Sequence, residues 1–123
     1  LFSTAADIQK LVDMLLKKGS LNDKQFISGK TIEQFLTKDK FLNGLGWMMD
    51  TTNSFIKDGP PGSFGHTGFT GTSIAVIPQN KLSIILLTNR QQTGLSETGN
   101  YPDLSNLRKE IVKLAMNYLI ETK

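Results

Sequence analysis

Two apolar runs rich in β-branched residues, separated by four turn-forming residues, constrain the fold of this chain more than any other feature. The runs span residues 72–77 and 82–88, and the connection at 78–81 contains Asn80, which tolerates a positive φ. This spacing predicts an antiparallel β-hairpin. Residues 82–87 are apolar on both faces, which is typical of a strand with a neighbour on each side. We therefore expect a further strand beside them, either from a missing N-terminal part or from a second copy of this chain.

The start of the chain has the residue spacing of an amphipathic helix. Thr4, with Asp7 three residues later, predicts a capped beginning, and Gly19 predicts the end of the helix. The apolar residues that share one face of this helix are Ile8, Leu11, Val12, Leu15 and Leu16.

The same periodicity predicts two more helices. A short one follows Ser28 or Thr31, and a longer one begins at Asp103 or Ser105. The expected buried stripe of the short helix consists of Ile32, Phe35 and Leu36. The apolar residues that mark one face of the long helix are Leu107, Ile111, Leu114, Ala115, Tyr118 and Leu119.

The remaining segments complete an α+β pattern. Residues 45–49 predict a strand, whereas the prolines and glycines of residues 58–62 and the polar residues 91–101 predict loops. Strands grouped together, with helices before and after them, predict an antiparallel sheet of at least three strands flanked by helices. A length of 123 residues allows one hydrophobic core, so residues 1–123 are interpreted as a single partial domain.

Composition excludes several classes of protein. The net charge of +3 comes from scattered lysines, which argues against a nucleic-acid partner. Without cysteine there is no disulfide, no thiolate nucleophile and no Cys-based zinc site. No apolar run approaches the roughly 20 residues of a membrane-spanning helix. The chain begins without an initiator methionine, so we expect it to be part of a longer protein.

The densest chemical signal is the glycine-rich segment at residues 64–73, which contains His66, the only histidine of the chain. Gly65, Gly68 and Gly71 recur every three residues and allow a backbone to approach a ligand without Cβ atoms in the way. Such a strand can pair with an extended substrate and direct N–H donors at a developing oxyanion. On these residues alone, a purely structural histidine remains the alternative.

The triplet His66-Thr67-Gly68 resembles the third motif of the penicillin-binding protein and serine β-lactamase family. In that family the triplet is Lys-Thr-Gly or His-(Ser/Thr)-Gly, on the strand that lines the active site. The segments at residues 1–7, 44–47, 64–73 and 86–90 resemble, in the same order, the closing part of the class C β-lactamase-like branch. The resemblance covers nearly the whole chain and implies the C-terminal part of a β-lactamase or transpeptidase-like fold.

The resemblance also implies roles for individual residues. His66 takes the place of the motif's cation, near the carbonyl or carboxylate end of the substrate and hydrogen-bonded toward the nucleophile. Thr67 offers its hydroxyl to a substrate carboxylate, and Gly68 permits close approach. Phe69 contributes its backbone N–H to the oxyanion hole. Histidine in place of lysine favours esterase-like or peptidase-like substrates over β-lactams.

Two short matches to the family's other motifs are interpreted as accidental. Ser54 and Lys57 fit Ser-x-x-Lys, and Ser20 with Asn22 fits Ser-x-Asn. The order in which these two matches and His66 occur along the chain is wrong for this family. Ser54 also lies where no helix is expected to begin. The nucleophile is therefore expected in polypeptide not included in this sequence.

Other chemical roles have less support. A metal site is not expected, because the chain has no second histidine and no close carboxylate pair, and no cofactor is expected either. Asn89 and Arg90 are interpreted as structural. Trp47, Phe64 and Phe69 are interpreted as core or groove wall.

The sequence therefore predicts a fragment of a serine hydrolase that forms an acyl-enzyme and is inactive by itself. The expected partners are a peptide, ester or β-lactam-like substrate and the missing N-terminal part of the same protein, with self-association through an exposed sheet edge as a further possibility. A non-catalytic module that binds a peptide or peptidoglycan is the alternative. The resemblance favours a location in the cell envelope or outside the cell.

Overall fold

The computed structural model describes residues 2–121. Leu1, the first residue of the segment 1–7 that resembles the family, therefore lies outside the described residues. The first helix, α1 (Ala5–Leu16), begins where the sequence predicted. The Thr4 hydroxyl oxygen accepts the N–H of Asp7 at 3.2 Å, which satisfies one of the free donors of the first turn. Gly19, with φ of 91°, follows the helix, and its N–H donates to the Met14 carbonyl. The predicted cap and end of α1 are confirmed.

The other elements follow in chain order. They are β1 (Ser20–Leu21), β2 (Lys24–Gln25), α2 (Gly29–Phe35), β3 (Asn43–Gly44), β4 (Trp47–Met48), β5 (Phe64–Thr67), β6 (Ser73–Ile77), β7 (Leu82–Leu86) and α3 (Ser105–Glu121). Ser28 caps α2 by accepting the N–H of Thr31 at 3.1 Å, so the predicted start at Ser28 is confirmed. Among residues 2–121, no helix is both long enough and apolar enough to cross a membrane.

Within the described part of the chain, the strands form a small hairpin, β1–β2, and an antiparallel sheet in the order β3-β4-β5-β6-β7. The predicted hairpin is formed by β6 and β7, with Ile77 opposite Leu82 and Ser73 opposite Leu86. The α+β class and the antiparallel sheet flanked by helices are therefore confirmed.

Alternating side chains of the sheet supply two cores on its opposite faces. On one face Phe64 and Val76 pack with Val12 and Leu15 of α1. On the other face Ala75 and Ile77 pack with Phe55 and Ile56, which precede β5, and with Val112 of α3. This two-residue alternation along β6 explains why both helices can cover the same sheet.

Four details differ from the sequence predictions. Residues 45–49 do not form one strand, because residues 45–46 turn the chain between β3 and β4, with φ of 75° at Gly46. The left-handed residue of the β6–β7 connection is Lys81, with φ of 51°, and not Asn80. Phe35 is 40% exposed and so is not part of the buried stripe of α2. The hairpin β1–β2 was not predicted at all.

The edge position of β7 bears on the expectation of a further strand. Within residues 2–121, β7 pairs with β6 alone, although all five of its residues are half-buried. The neighbour expected on its other side is therefore not in the described part of this chain. The prediction that a missing N-terminal part or a second copy supplies it stays open.

We expect Gly65→Ala to destabilise the protein and Gly29→Ala, its control, to stabilise it slightly. A Cβ on Gly65 would lie 2.4 Å from the Ile74 carbonyl oxygen and 2.7 Å from the Phe55 ring, so the sheet would have to shift. Overpacking of this kind costs about 1–3 kcal/mol. Gly29 has room for a Cβ in the first turn of α2, where alanine adds about 0.4–1 kcal/mol. Urea unfolding of both variants, with equal midpoints as the contradicting result, checks this prediction.

Candidate active site

His66 and Thr67 lie at the end of β5, where the strand leaves the core. Phe64 and Gly65 at the beginning of β5 are buried, His66 is exposed and Thr67 is half-buried. Neither the imidazole of His66 nor the hydroxyl of Thr67 makes a hydrogen bond to any residue within 2–121. Both side chains are therefore available to a ligand.

One edge of β5 is open at these two residues. On one side, His66 pairs with Ile74 and Thr67 with Ser73 of β6. On the other side, the pairing with β4 in the described residues consists of Gly65 alone, opposite Met48. An extended peptide can add to such an edge through its main chain.

Gly68 and Phe69 continue into a tight turn directly after β5. The N–H of Gly68 donates to the Thr72 carbonyl at 2.8 Å, and the N–H of Gly71 donates to the Gly68 carbonyl at 3.0 Å. The Phe69 side chain is 64% exposed. The Phe69 N–H has no hydrogen-bond acceptor among the residues that the structure describes, so it is a free donor close to His66 in sequence.

The sequence-predicted residues thus lie together on one strand end and its turn. An open groove of about 410 Å³ lies between α1, α2 and the beginning of β5, and one of about 260 Å³ lies beside Tyr101. Neither groove is lined by His66 or Thr67.

Ser54 and Ser20 are engaged elsewhere. Ser54 lies among turns and not on a helix. Its hydroxyl donates to the Asp50 carbonyl and accepts the Ile56 N–H at 3.2 Å. Ser20 lies on β1, and its hydroxyl donates to Gln25 at 2.6 Å. Neither arrangement resembles an activated nucleophile, which needs a base beside its hydroxyl.

The carboxylate of Asp103 lies at the beginning of α3. The hydroxyl of Ser105 donates to it at 2.6 Å, and the N–H of Ser105 donates to it at 2.9 Å. Both hydrogen bonds lower the pKa of Asp103, and the bond from the hydroxyl has the larger effect. The positive charges of Arg108 and Arg90 act in the same direction. Because the pKa is lowered, the stabilisation from these bonds is present above the ordinary pKa and is lost as the pH falls.

No cluster of three or more histidine, aspartate or glutamate side chains that could hold a metal ion occurs in the described ranges.

The residues that sequence reasoning did not assign to the site are Arg90 and Arg108, both of which contact the turn after β5. Their rarity in a chain that is rich in lysine was the available signal.

Several known proteins are similar to this chain in sequence. "Putative D-alanyl-D-alanine carboxypeptidase" of Escherichia coli O157:H7 is 32% identical over 110 residues, and the protein of the same name from Escherichia coli K12 is 31% identical. The relative from Salmonella agona is 30% identical. Each comparison covers 85% of this chain, and the chain spans about a quarter of the length of these relatives. No solved structure gave a significant match.

The comparison with protein families covers most of the chain. The family model described as Beta-lactamase matches residues 1–106, which include α1, the whole sheet and the turn after β5. The matched range contains His66, Thr67, Gly68 and Phe69. The chain belongs to the Beta-lactamase family.

Proposed function

We propose that this chain is the C-terminal part of a serine hydrolase that acts through an acyl-enzyme, and that it supplies the strand of the active site that carries His66. The observation that carries this proposal is the open edge of β5 at His66 and Thr67. His66 is exposed and Thr67 is half-buried, and neither side chain makes a hydrogen bond within residues 2–121. An extended substrate can pair with that edge. The names of the relatives favour a peptide that ends in D-alanyl-D-alanine.

The residues divide the work by their chemistry. The Thr67 hydroxyl binds the terminal carboxylate of the substrate, and Gly68 lets the substrate approach the backbone. The N–H of Phe69 donates to the carbonyl oxygen as it becomes an oxyanion. His66 donates or accepts a hydrogen bond at the reacting serine, whose oxygen bonds to the carbonyl carbon while the terminal amine leaves with a proton. Water then hydrolyses the ester.

The attacking serine belongs, in this proposal, to the part of the protein that precedes Leu1. Without it the chain keeps one oxyanion donor and part of the binding surface, which cannot form a covalent intermediate. We therefore expect the 123-residue chain to be inactive alone.

Labelling with a fluorescent fluorophosphonate tests the proposal. The full-length protein is expected to be labelled, and the isolated chain is expected to remain unlabelled because it lacks the activated serine. Labelled peptides from the full-length protein, identified by mass spectrometry, should contain a serine outside this chain. Labelling of Ser54 would contradict the proposal.

The same open edge supports a second candidate, a module that binds peptides without cleaving them. A peptide ending in D-alanyl-D-alanine separates the two. The enzyme releases free D-alanine from it, whereas the binding module holds the peptide intact and the fluorophosphonate fails to label the full-length protein.

A further inference from the structure

The turn after β5 is held by both arginines of the chain. The Nε of Arg90 donates to the Phe69 carbonyl at 2.6 Å, and the Nη2 of buried Arg108 donates to the Gly71 carbonyl at 2.9 Å. Between these two, the Thr70 carbonyl accepts the backbone N–H of Arg90 at 2.8 Å. Three consecutive carbonyls of the turn are therefore fixed by residues that lie far away in the sequence.

Arg90 also holds the side chain of Phe69. Its guanidinium lies 5.1 Å from the centre of the Phe69 ring and 5.9 Å from that of Tyr101. The two rings meet edge to face at 5.7 Å, and Nη1 of Arg90 donates to the Pro102 carbonyl at 3.2 Å. Lysine cannot replace this arrangement, because an ammonium lacks the planar fork that stacks on a ring while it donates in two directions.

These contacts leave the N–H of Phe69 as a donor with a fixed direction. The Gly68 carbonyl is held by the N–H of Gly71, and in a planar trans peptide the N–H of Phe69 points away from that carbonyl. The next peptide is fixed by Arg90 through the Phe69 carbonyl. A donor held in place before the reaction costs no reorganisation when charge develops.

We infer that Arg90 is a positioning residue for the oxyanion donor at Phe69, with Arg108 as a second anchor of the same turn. This inference rests on the proposed function, because it assumes that a substrate oxygen meets the Phe69 N–H. Arg90 itself acts on the backbone and not on the substrate. Its loss should therefore impair the transition state more than the binding of substrate.

The test uses the full-length protein with Arg90→Lys, and Gln92→Ala as the control. Gln92 is exposed in the same short turn, and its side chain makes no contact that holds residues 68–72. Loss of a complete oxyanion donor lowers kcat about 10²–10³-fold, so its misplacement should lower kcat by roughly 10–100-fold with KM changed less than about threefold. Gln92→Ala should match the wild type.

A boronic acid analogue of the substrate provides a second measurement. It forms a tetrahedral adduct with the active-site serine, and one boronate oxygen takes the place of the oxyanion. The affinity for this adduct should fall with Arg90→Lys by the same factor as kcat, while substrate KM does not. A purely structural role would change the melting temperature and leave the ratio of boronate to substrate affinity unchanged.

The outcomes separate this inference from the proposed function. Wild-type kcat and boronate affinity in folded Arg90→Lys overturn the inference and leave the proposed function intact. A full-length wild type that fluorophosphonate does not label overturns both. If Arg90→Lys does not fold, Tyr101→Leu, which removes one of the two ring contacts, should lower kcat in the same direction with KM unchanged, and wild-type kcat in that variant overturns the inference.

Discussion

Replacing Phe64 by alanine is expected to lower the free energy of unfolding by about 3–5 kcal/mol, the usual cost of removing a buried aromatic side chain. Phe64 is 1% exposed and packs in the cluster formed by α1 and the sheet. Its ring meets that of Trp47 edge to face, with the ring centres 5.1 Å apart. Alanine would remove the ring from a site where α1 and β6 are both held by the remaining packing, so a cavity would remain.

Phe41→Ala is the matched control, because Phe41 is 70% exposed and belongs to neither cluster. Its truncation should change stability by less than about 0.5 kcal/mol. Urea unfolding of the full-length protein carrying each substitution measures both values. A Phe64→Ala variant as stable as Phe41→Ala would mean that the cluster beneath β5 does not hold the strand that carries His66.

Local signals predicted the elements that depend on local interactions. The beginning of α1 depends on Thr4 and Asp7, three residues apart, and the hairpin β6–β7 depends on two β-branched runs with a short connection. Both were predicted. The hairpin β1–β2 was missed because Lys24 and Gln25 have weak strand propensity, although the positive φ of Asn22 fits the turn chemistry of that residue.

The exposure of apolar helix residues was beyond sequence reasoning. Leu11 and Leu16 fall on the predicted apolar face of α1, yet they are 43% and 41% exposed, and Phe35 of α2 is 40% exposed. On the predicted face of α3, Leu107, Leu114 and Tyr118 are 45%, 65% and 67% exposed. Periodicity identifies a face that can be buried, but the neighbour that covers it must be present. Since the chain spans about a quarter of the length of its relatives, these residues are the expected contacts of the remaining polypeptide.

The sequence identified the candidate residues of β5 and its turn, but not the two arginines that hold this turn in place. The glycine spacing and the triplet at His66 are contiguous in sequence, so a motif can identify them. Arg90 and Arg108 contact the turn from 21 and 37 residues away, and this proximity depends on the hairpin β6–β7 and on the packing of α3. No local pattern contains that information.

Replacing His66 by alanine in the full-length protein is expected to lower the rate of acylation about 10²–10⁴-fold, the range that a positioned acid–base group contributes. The exposed imidazole makes no hydrogen bond within the described residues and packs in neither core, so its loss should change stability by less than about 0.5 kcal/mol. Burst kinetics with an activated ester measure the acylation step, and thermal unfolding of the same preparation measures stability.

His66→Lys distinguishes a chemical role from a simple loss of side-chain volume. Lysine occupies this position in the other form of the motif, and its ammonium can donate to a reacting oxygen or to a carboxylate. We expect this variant to recover part of the rate that His66→Ala loses, whereas His66→Leu, of similar size and without a donor, should remain as slow as alanine. Acylation at the wild-type rate in folded His66→Ala would mean that the end of β5 binds substrate without taking part in the chemistry, and the catalytic role of His66 would be abandoned.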